Sequence, residues 1–268
     1  MVRRYSAAVI VILALAVAVV RADDFWVKKD WKQWSKEDCA KMMKDSPWAH
    51  KWAQTVSTVG AALPSSANNV GNGTSANGGP PNPLGSVTGS AAGSAGDTKE
   101  EVTYTVTLTS SLPIREAMVR AQQIQVNYDK LTADQKKTFD ERAVAFLGQT
   151  FDDVIIFHVV YDGSNQMLLR ALSEYWQTIQ EETVPSDLFM ITEHGDRIKP
   201  VHFDSPRGGA NVMNIQFPRM QNNEPVIKPG DKDLTLQIPS PKVVDLPKQT
   251  AMISFRVDKM TINGKVTF

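Results

Sequence analysis

The sequence predicts an α+β protein: a β-sandwich-like (Ig-like) domain with an inserted helical hairpin, preceded by a short helical segment and a disordered linker. Three observations predict it. From about residue 186 onward, short apolar runs alternate with turn signals every eight to twelve residues, the spacing of a sandwich. Two segments with helical periodicity lie between residues 112 and 147. A 42-residue tract, 57–98, holds nine of the 16 glycines with Ser, Asn, Ala and Pro around them, and separates this domain from a tryptophan-rich start.

The N-terminus places Arg3 and Arg4 before fourteen apolar residues, Ala7 to Val20, and ends on Val20-Arg21-Ala22. That succession is a signal peptide over residues 1–22. Fourteen helical residues span about 21 Å, short of a ~30 Å hydrocarbon core, so the reading excludes a permanent membrane anchor. Residues 23–268 then carry 26 basic and 29 acidic residues, a net of −3. This balance excludes the strongly basic face of a nucleic-acid binder. The expected location is secreted or periplasmic.

Residues 23–56 hold Trp26, Trp31, Trp34, Trp48 and Trp52. Ser35 caps a helix with Asp38 in the capping-box position, and Cys39, Met42 and Met43 share its apolar face. Ser46-Pro47 begins a second helix, with Trp48 and Trp52 one turn apart on it. Both helices are too short to stand alone, so the five tryptophans read as a docking segment. Three surfaces could receive it, in order of preference: the chain's own domain, a protein partner, and a lipid interface. Cys39, the single cysteine, excludes an internal disulfide framework. It is either a small hydrophobe or one half of an intermolecular disulfide.

Residues 57–98 lack aromatics and carry one charge, Asp97, so they cannot bury enough surface to offset their ordering entropy. As a random coil the tract reaches about 35 Å. The domain, 99–268, opens with the alternating strand Val102–Leu108. Pro113 begins a helix with Ile114, Met118, Ala121 and Ile124 on one side. Thr132 and Gln135 form a second capping box, starting a helix whose Phe139, Ala143 and Phe146 face inward. Val154–Tyr161 is apolar on both faces and reads as a central strand covered from both sides, with His158 a hydrogen-bonded core histidine. Leu168, Leu172, Tyr175 and Ile179 recur at helical spacing. The strands after these are Leu188–Ile191, Ile198–Phe203, Val212–Phe217, Leu234–Ile238 and Ile253–Val257, with Asn263-Gly264 as a hairpin turn.

No catalytic, metal or cofactor site is expected. The nearest candidate is a hairpin joining His194 and His202 with Glu193, Asp196 and Asp204, yet no HExxH, HxH or facial-triad spacing supports it. There is no GxSxG elbow and no phosphate-cradling glycine loop. Asp152-Asp153 reads as a solvated strand start.

Two resemblances follow from these residues. The stretch Trp31-x-x-Trp34-Ser35-x-Glu37-Asp38-Cys39 through Ser46-Pro47-Trp48-Ala49, with Pro113-Ile114-Arg115-Glu116-Ala117 and Phe151-Asp152-Asp153, resembles a group of uncharacterised secreted bacterial proteins. That resemblance implies export from a bacterium and carries no activity. Leu131-Thr132-Ala133-Asp134-Gln135 is similar to the LTxxQ motif of small periplasmic stress chaperones, and the capping box accounts for the same five residues. The sequence reading is thus a non-catalytic interaction or structural protein of the envelope, its partner unknown, with residues 23–56 as the segment through which a protein partner could engage. A metal-dependent enzyme and a chaperone are its rivals.

Overall fold

The computed structural model describes residues 25–57, 99–208, 210–243, 248–262 and 265–268. The signal-peptide and disordered-linker readings lie outside the described residues, apart from Ser57. In chain order the elements are α1 (Phe25–Lys28), α2 (Lys36–Lys44), β1 (Ala49–Ser57), β2 (Lys99–Leu108), α3 (Leu112–Gln125), α4 (Ala133–Leu147), β3 (Val154–Gly163) and α5 (Gln166–Gln177). Strands follow from Phe189: β4 (Phe189–Thr192), β5 (Arg197–Ile198), β6 (His202–Asp204), β7 (Val212–Pro218), β8 (Met220–Gln221), β9 (Glu224–Pro225), β10 (Asp233–Ile238), β11 (Ala251–Arg256), β12 (Thr261–Ile262) and β13 (Lys265–Val266). The fold is mixed α+β with antiparallel sheets. A five-stranded sheet runs β1-β2-β3-β7-β6, and a four-stranded sheet runs β11-β10-β4-β5.

The second helix expected from Ser46-Pro47 is instead strand β1. It pairs with β2 along its whole length, from Ala49↔Thr107 to Ser57↔Lys99. Tertiary pairing overrides the local helix signal here. Ser46 does not cap a new helix; its hydroxyl donates to Met42 O and accepts from Trp48 N, closing the end of α2 into a tight turn. Residues 49–57 therefore belong to the same sheet as residues 99–108, and the expected helical segment ends with α2.

The helix starts read from sequence are present. Ser35 and Asp38 satisfy each other's backbone amides, as do Thr132 and Gln135. On α3 the buried positions are Pro113, Ile114, Arg115, Ala117 and Val119, whereas Met118, expected inside, is 40% exposed. No residue of α4 is buried; its Phe139, Ala143 and Phe146 are only half-covered.

β3 is the middle strand of its sheet, but it is not covered from both sides. Ile155, Phe157, Val159 and Tyr161 are buried, and Ile156 and His158 are half-buried on the other face. That face carries polar neighbours such as Thr105, Asn214 and Gln216, so it stays partly open. His158 accordingly sits at the surface side, its Nδ1 2.8 Å from Asn214 Oδ1 on the adjacent strand. The run expected as one strand, Ile198–Phe203, splits into β5 and β6 in different sheets. Pro200, which has no amide to donate, falls in the break.

The buried face of the larger sheet meets the smaller sheet through Phe157 and Phe255, with ring centroids 5.5 Å apart, and through His50 and Phe255 at 4.9 Å. Trp176 of α5 packs on Phe203 of β6. Asn222 and Asn223, both at positive φ, form the tight turn between β8 and β9 that such residues tolerate. Asn263-Gly264 lies outside the described residues, and β12 and β13 pair on either side of it.

Because β1 and β2 are sheet neighbours, a protease site inserted between residues 58 and 98 should give two fragments that stay together. Native size-exclusion chromatography with mass spectrometry should find them in one peak, separating only in denaturant. Recovery of a folded 99–268 fragment alone would show that β1 is dispensable.

Candidate functional site

The five tryptophans of the docking segment are built into the chain's own core, the first of the three surfaces considered for them. Trp26, Trp34 and Trp48 are buried, and Trp31 and Trp52 pack against the core half-covered. Phe25 meets Trp26 and Trp34 edge-on, and Trp26 meets Trp48 at 5.9 Å. Their polar edges are satisfied internally: Trp34 Nε1 donates to Lys29 O at 3.2 Å, and Trp48 Nε1 donates to Thr267 O. Trp52 lies against Tyr104 on the neighbouring strand. Three of these indoles thus have no face to offer a partner. Cys39 is buried among them, and burial pushes its thiol up to about 11, far from thiolate reactivity at neutral pH.

The histidine hairpin does not converge on one point. His194 Nε2 lies 3.0 Å from Asp231 Oδ1, whose other oxygen accepts from Lys228 N. His202 is held between Glu181 and Asp204. Glu193 accepts from Lys232 N, and Asp196 is tied to Thr192 within its own turn. Among the described residues, no group of three or more His, Cys, Asp or Glu is placed to hold a metal ion. No described helix is long and apolar enough to cross a membrane.

Two of the concave surfaces among the described residues flank α3. The larger is a groove of about 740 Å³ between α3 and α4. Met118, Val119 and Val126 form one wall and Phe139, Ala143 and Phe146 the other, with Leu131 at one end. A half-covered apolar stripe on α4 is the physical cause: α3 lies along it, and Tyr128 packs on Phe139. Asp134 and Arg142 stand on the groove eight residues apart on α4, opposite charges two turns from each other.

Arg115, on the first turns of α3, fixes where α4 ends. Its Nη1 donates to the carbonyls of Phe146, Leu147 and Gln149 at 3.0, 3.1 and 2.8 Å. Phe146 and Leu147 belong to the last turn of α4, whose carbonyls lack an i+4 amide, Gln149 follows it, and a cation suits the negative end of the dipole. The guanidinium also lies 4.9 Å from the ring centre of Phe151. The stretches Pro113–Ala117 and Phe151–Asp153, far apart in sequence, therefore meet at this point. The second concavity, about 460 Å³, opens beside them and is lined by Arg115, Arg219, Phe151 and Phe268 among others. Sequence reading missed both surfaces, although the alternation Phe139/Ala143/Phe146 marked an apolar face needing cover. No family model, curated protein or solved structure matches this chain.

Arg115→Met should destabilise the protein by about 3 kcal/mol, since three carbonyls lose a charged donor. Chemical denaturation measures that loss, and hydrogen exchange should rise first in α4.

The Glu181 carboxylate, followed by Asp204, holds the His202 pKa above the ordinary histidine value. A raised folded-state pKa stabilises the fold fully below the unfolded value, near 6.5. The stabilisation is lost as pH rises through the folded value. His202 and its partners are largely exposed, so the effect is that of a surface pair. Between about pH 6 and about pH 8.5 the Tm of the native protein should fall by about 1–3 °C more than that of Glu181→Gln.

Proposed function

We propose that this chain is an exported, non-catalytic interaction protein of the bacterial envelope, secreted or periplasmic, whose binding surface is the α3–α4 groove. The signal-like succession ending at Ala22 and the resemblance to secreted bacterial proteins support export. The two antiparallel sheets act as a sandwich-like platform, and α3 and α4 act as a helical hairpin inserted between β2 and β3. Ring contacts between the sheets, such as Phe157 on Phe255, support that picture.

One observation carries the binding reading: a fifteen-residue amphipathic helix, α4, has no buried residue. Elsewhere in this molecule, apolar stripes on helices are buried, as Leu168, Leu169, Leu172 and Trp176 of α5 are. An apolar face left uncovered marks a place where something else packs. The partner is an amphipathic helix of another protein. The groove runs between helices of 14 and 15 residues, about 21 Å long, and Met118 gives it an adaptable wall. Asp134 and Arg142 select a helix bearing a basic residue and, two turns away, an acidic one.

A photo-crosslinking residue at Met118 tests this reading, with Met252, exposed on β11, as the control position. In envelope extract, Met118 adducts should map to an amphipathic helix with that charge spacing. A synthetic peptide of the mapped segment should bind the whole protein and lose at least about tenfold in affinity to Val126→Asp. Adducts equally frequent at Met252, or a mapped segment that ignores Val126→Asp, would remove the groove from consideration.

A further inference from the structure

The α3–α4 groove calls for a helix with a basic residue and an acidic one two turns apart, and this chain carries such a helix on its own groove wall. Asp134 and Arg142 stand eight residues apart on α4, about 12 Å along its axis. Both are exposed, and among the described residues neither forms an ion pair. They are too far apart to meet each other. The same helix run in the opposite direction matches them: a second α4, laid antiparallel, brings its Arg142 to Asp134 and its Asp134 to Arg142.

The residues between the two charges suit that arrangement. Thr138 lies midway and falls on the twofold axis, where a small side chain lets the helices approach closely. It is exposed, and its hydroxyl already donates to Asp134 O at 3.0 Å, so covering it strands no polar group. Further along the stripe, the second copy's Phe146 falls level with Leu131, which stands at the end of the groove. Ala133 and Ala143 come opposite each other and leave room for that contact. Each half-covered stripe is then covered by the other, and the two α3–α4 hairpins make a four-helix packing.

We propose that two copies of this chain pair through the groove, α4 against α4 in antiparallel, and that the pairing keeps the groove closed to other helices until the copies separate. This pairing rests on the reading of the groove as a binding surface, and adds what covers it when no other protein does. The contact is isologous, so it closes at two copies and does not propagate into a filament. Helices about 21 Å long bury an area at the low end of specific interfaces, so the dissociation constant is on the order of 10 μM. A dimer of that strength yields to a better-fitting helix.

The test uses the purified whole protein with no second protein present. Sedimentation velocity from about 1 to about 100 μM, a range that brackets the expected constant, should show monomer passing to dimer. Asp134→Arg and Arg142→Asp should each weaken the dimer at least about tenfold, because like charges then face each other. An equimolar mixture of the two variants should pair again, since each supplies the charge the other needs, a rescue that misfolding cannot imitate. Val126→Asp, on the α3 wall, should weaken the dimer by a similar factor if the groove is what the dimer covers. Under mild oxidation Thr138→Cys should cross-link two copies, whereas Val144→Cys, 71% exposed on the far side of α4, should not. Cys39 is buried and does not compete. A monomer throughout the range, a mixture no more associated than either variant alone, a dimer indifferent to Val126→Asp, or Val144→Cys cross-linking as readily as Thr138→Cys would each overturn the pairing. The two readings fail separately: pairing is measured on the protein alone, whereas the other occupant is sought by the Met118 cross-links in extract.

Discussion

The pairing of β1 with β2 is the constraint on which the rest of the structure depends. The two strands are neighbours in space but are separated by residues 58–98, a connection of 41 residues. Closing a connection ten times longer than an ordinary hairpin loop costs about 2 kcal/mol more in chain entropy. Burying a single tryptophan removes about 150–250 Å² from water, worth about 4–6 kcal/mol as an upper bound. Trp26, Trp34 and Trp48 all come with the N-terminal strand and helices, so burial outweighs closure. The indole cluster, with α2 laid against α3, makes the first described residues an inseparable part of the core.

That arrangement also explains why the helices on the two sides of α3 differ. On one side, α2 packs closely and Arg120 Nε donates to Trp34 O. On the other, α4 is held mainly by local devices: the Thr132/Gln135 capping box at its start and the Arg115 guanidinium at its end. Devices of this kind fix where a helix begins and ends without burying its face. An element stabilised by its ends rather than by its side chains is the one most ready to open or to accept a new neighbour. The apolar groove follows from that division of labour.

What could be read in advance follows the same physics. Helix caps are local, so Ser35/Asp38 and Thr132/Gln135 were legible from four residues each. The short strands after residue 186 carried their own turn signals. β1 was not legible, because Ser46-Pro47 looks like a helix start and only pairing with residues 99–107 makes Ala49–Ser57 a strand. The two faces of β3 could not be ranked from its apolar run, since the polar residues that open one face belong to β2 and β7. Met118 fell on the predicted stripe of α3 yet is exposed, because the position of α2 rotated the buried side toward Ala117.

The candidate sites were less legible than the fold, for a related reason. Tryptophan density drew attention to residues 23–56, but a rare, large, apolar side chain is more often a core anchor than an exposed hook. Here the chain's own sheet was within reach, and the indoles are buried on it. The arginines drew no attention in the sequence: Arg115 lies within an apolar helix and Arg219 directly follows a strand. Nothing in the order of residues says that Arg115 meets Phe151, or that Arg219 reaches Phe268. Only the fold reveals that these two charges have withdrawn from water against main-chain oxygens and aromatic rings. A buried cation bonded to several backbone oxygens and laid against an aromatic ring is held in place by its surroundings.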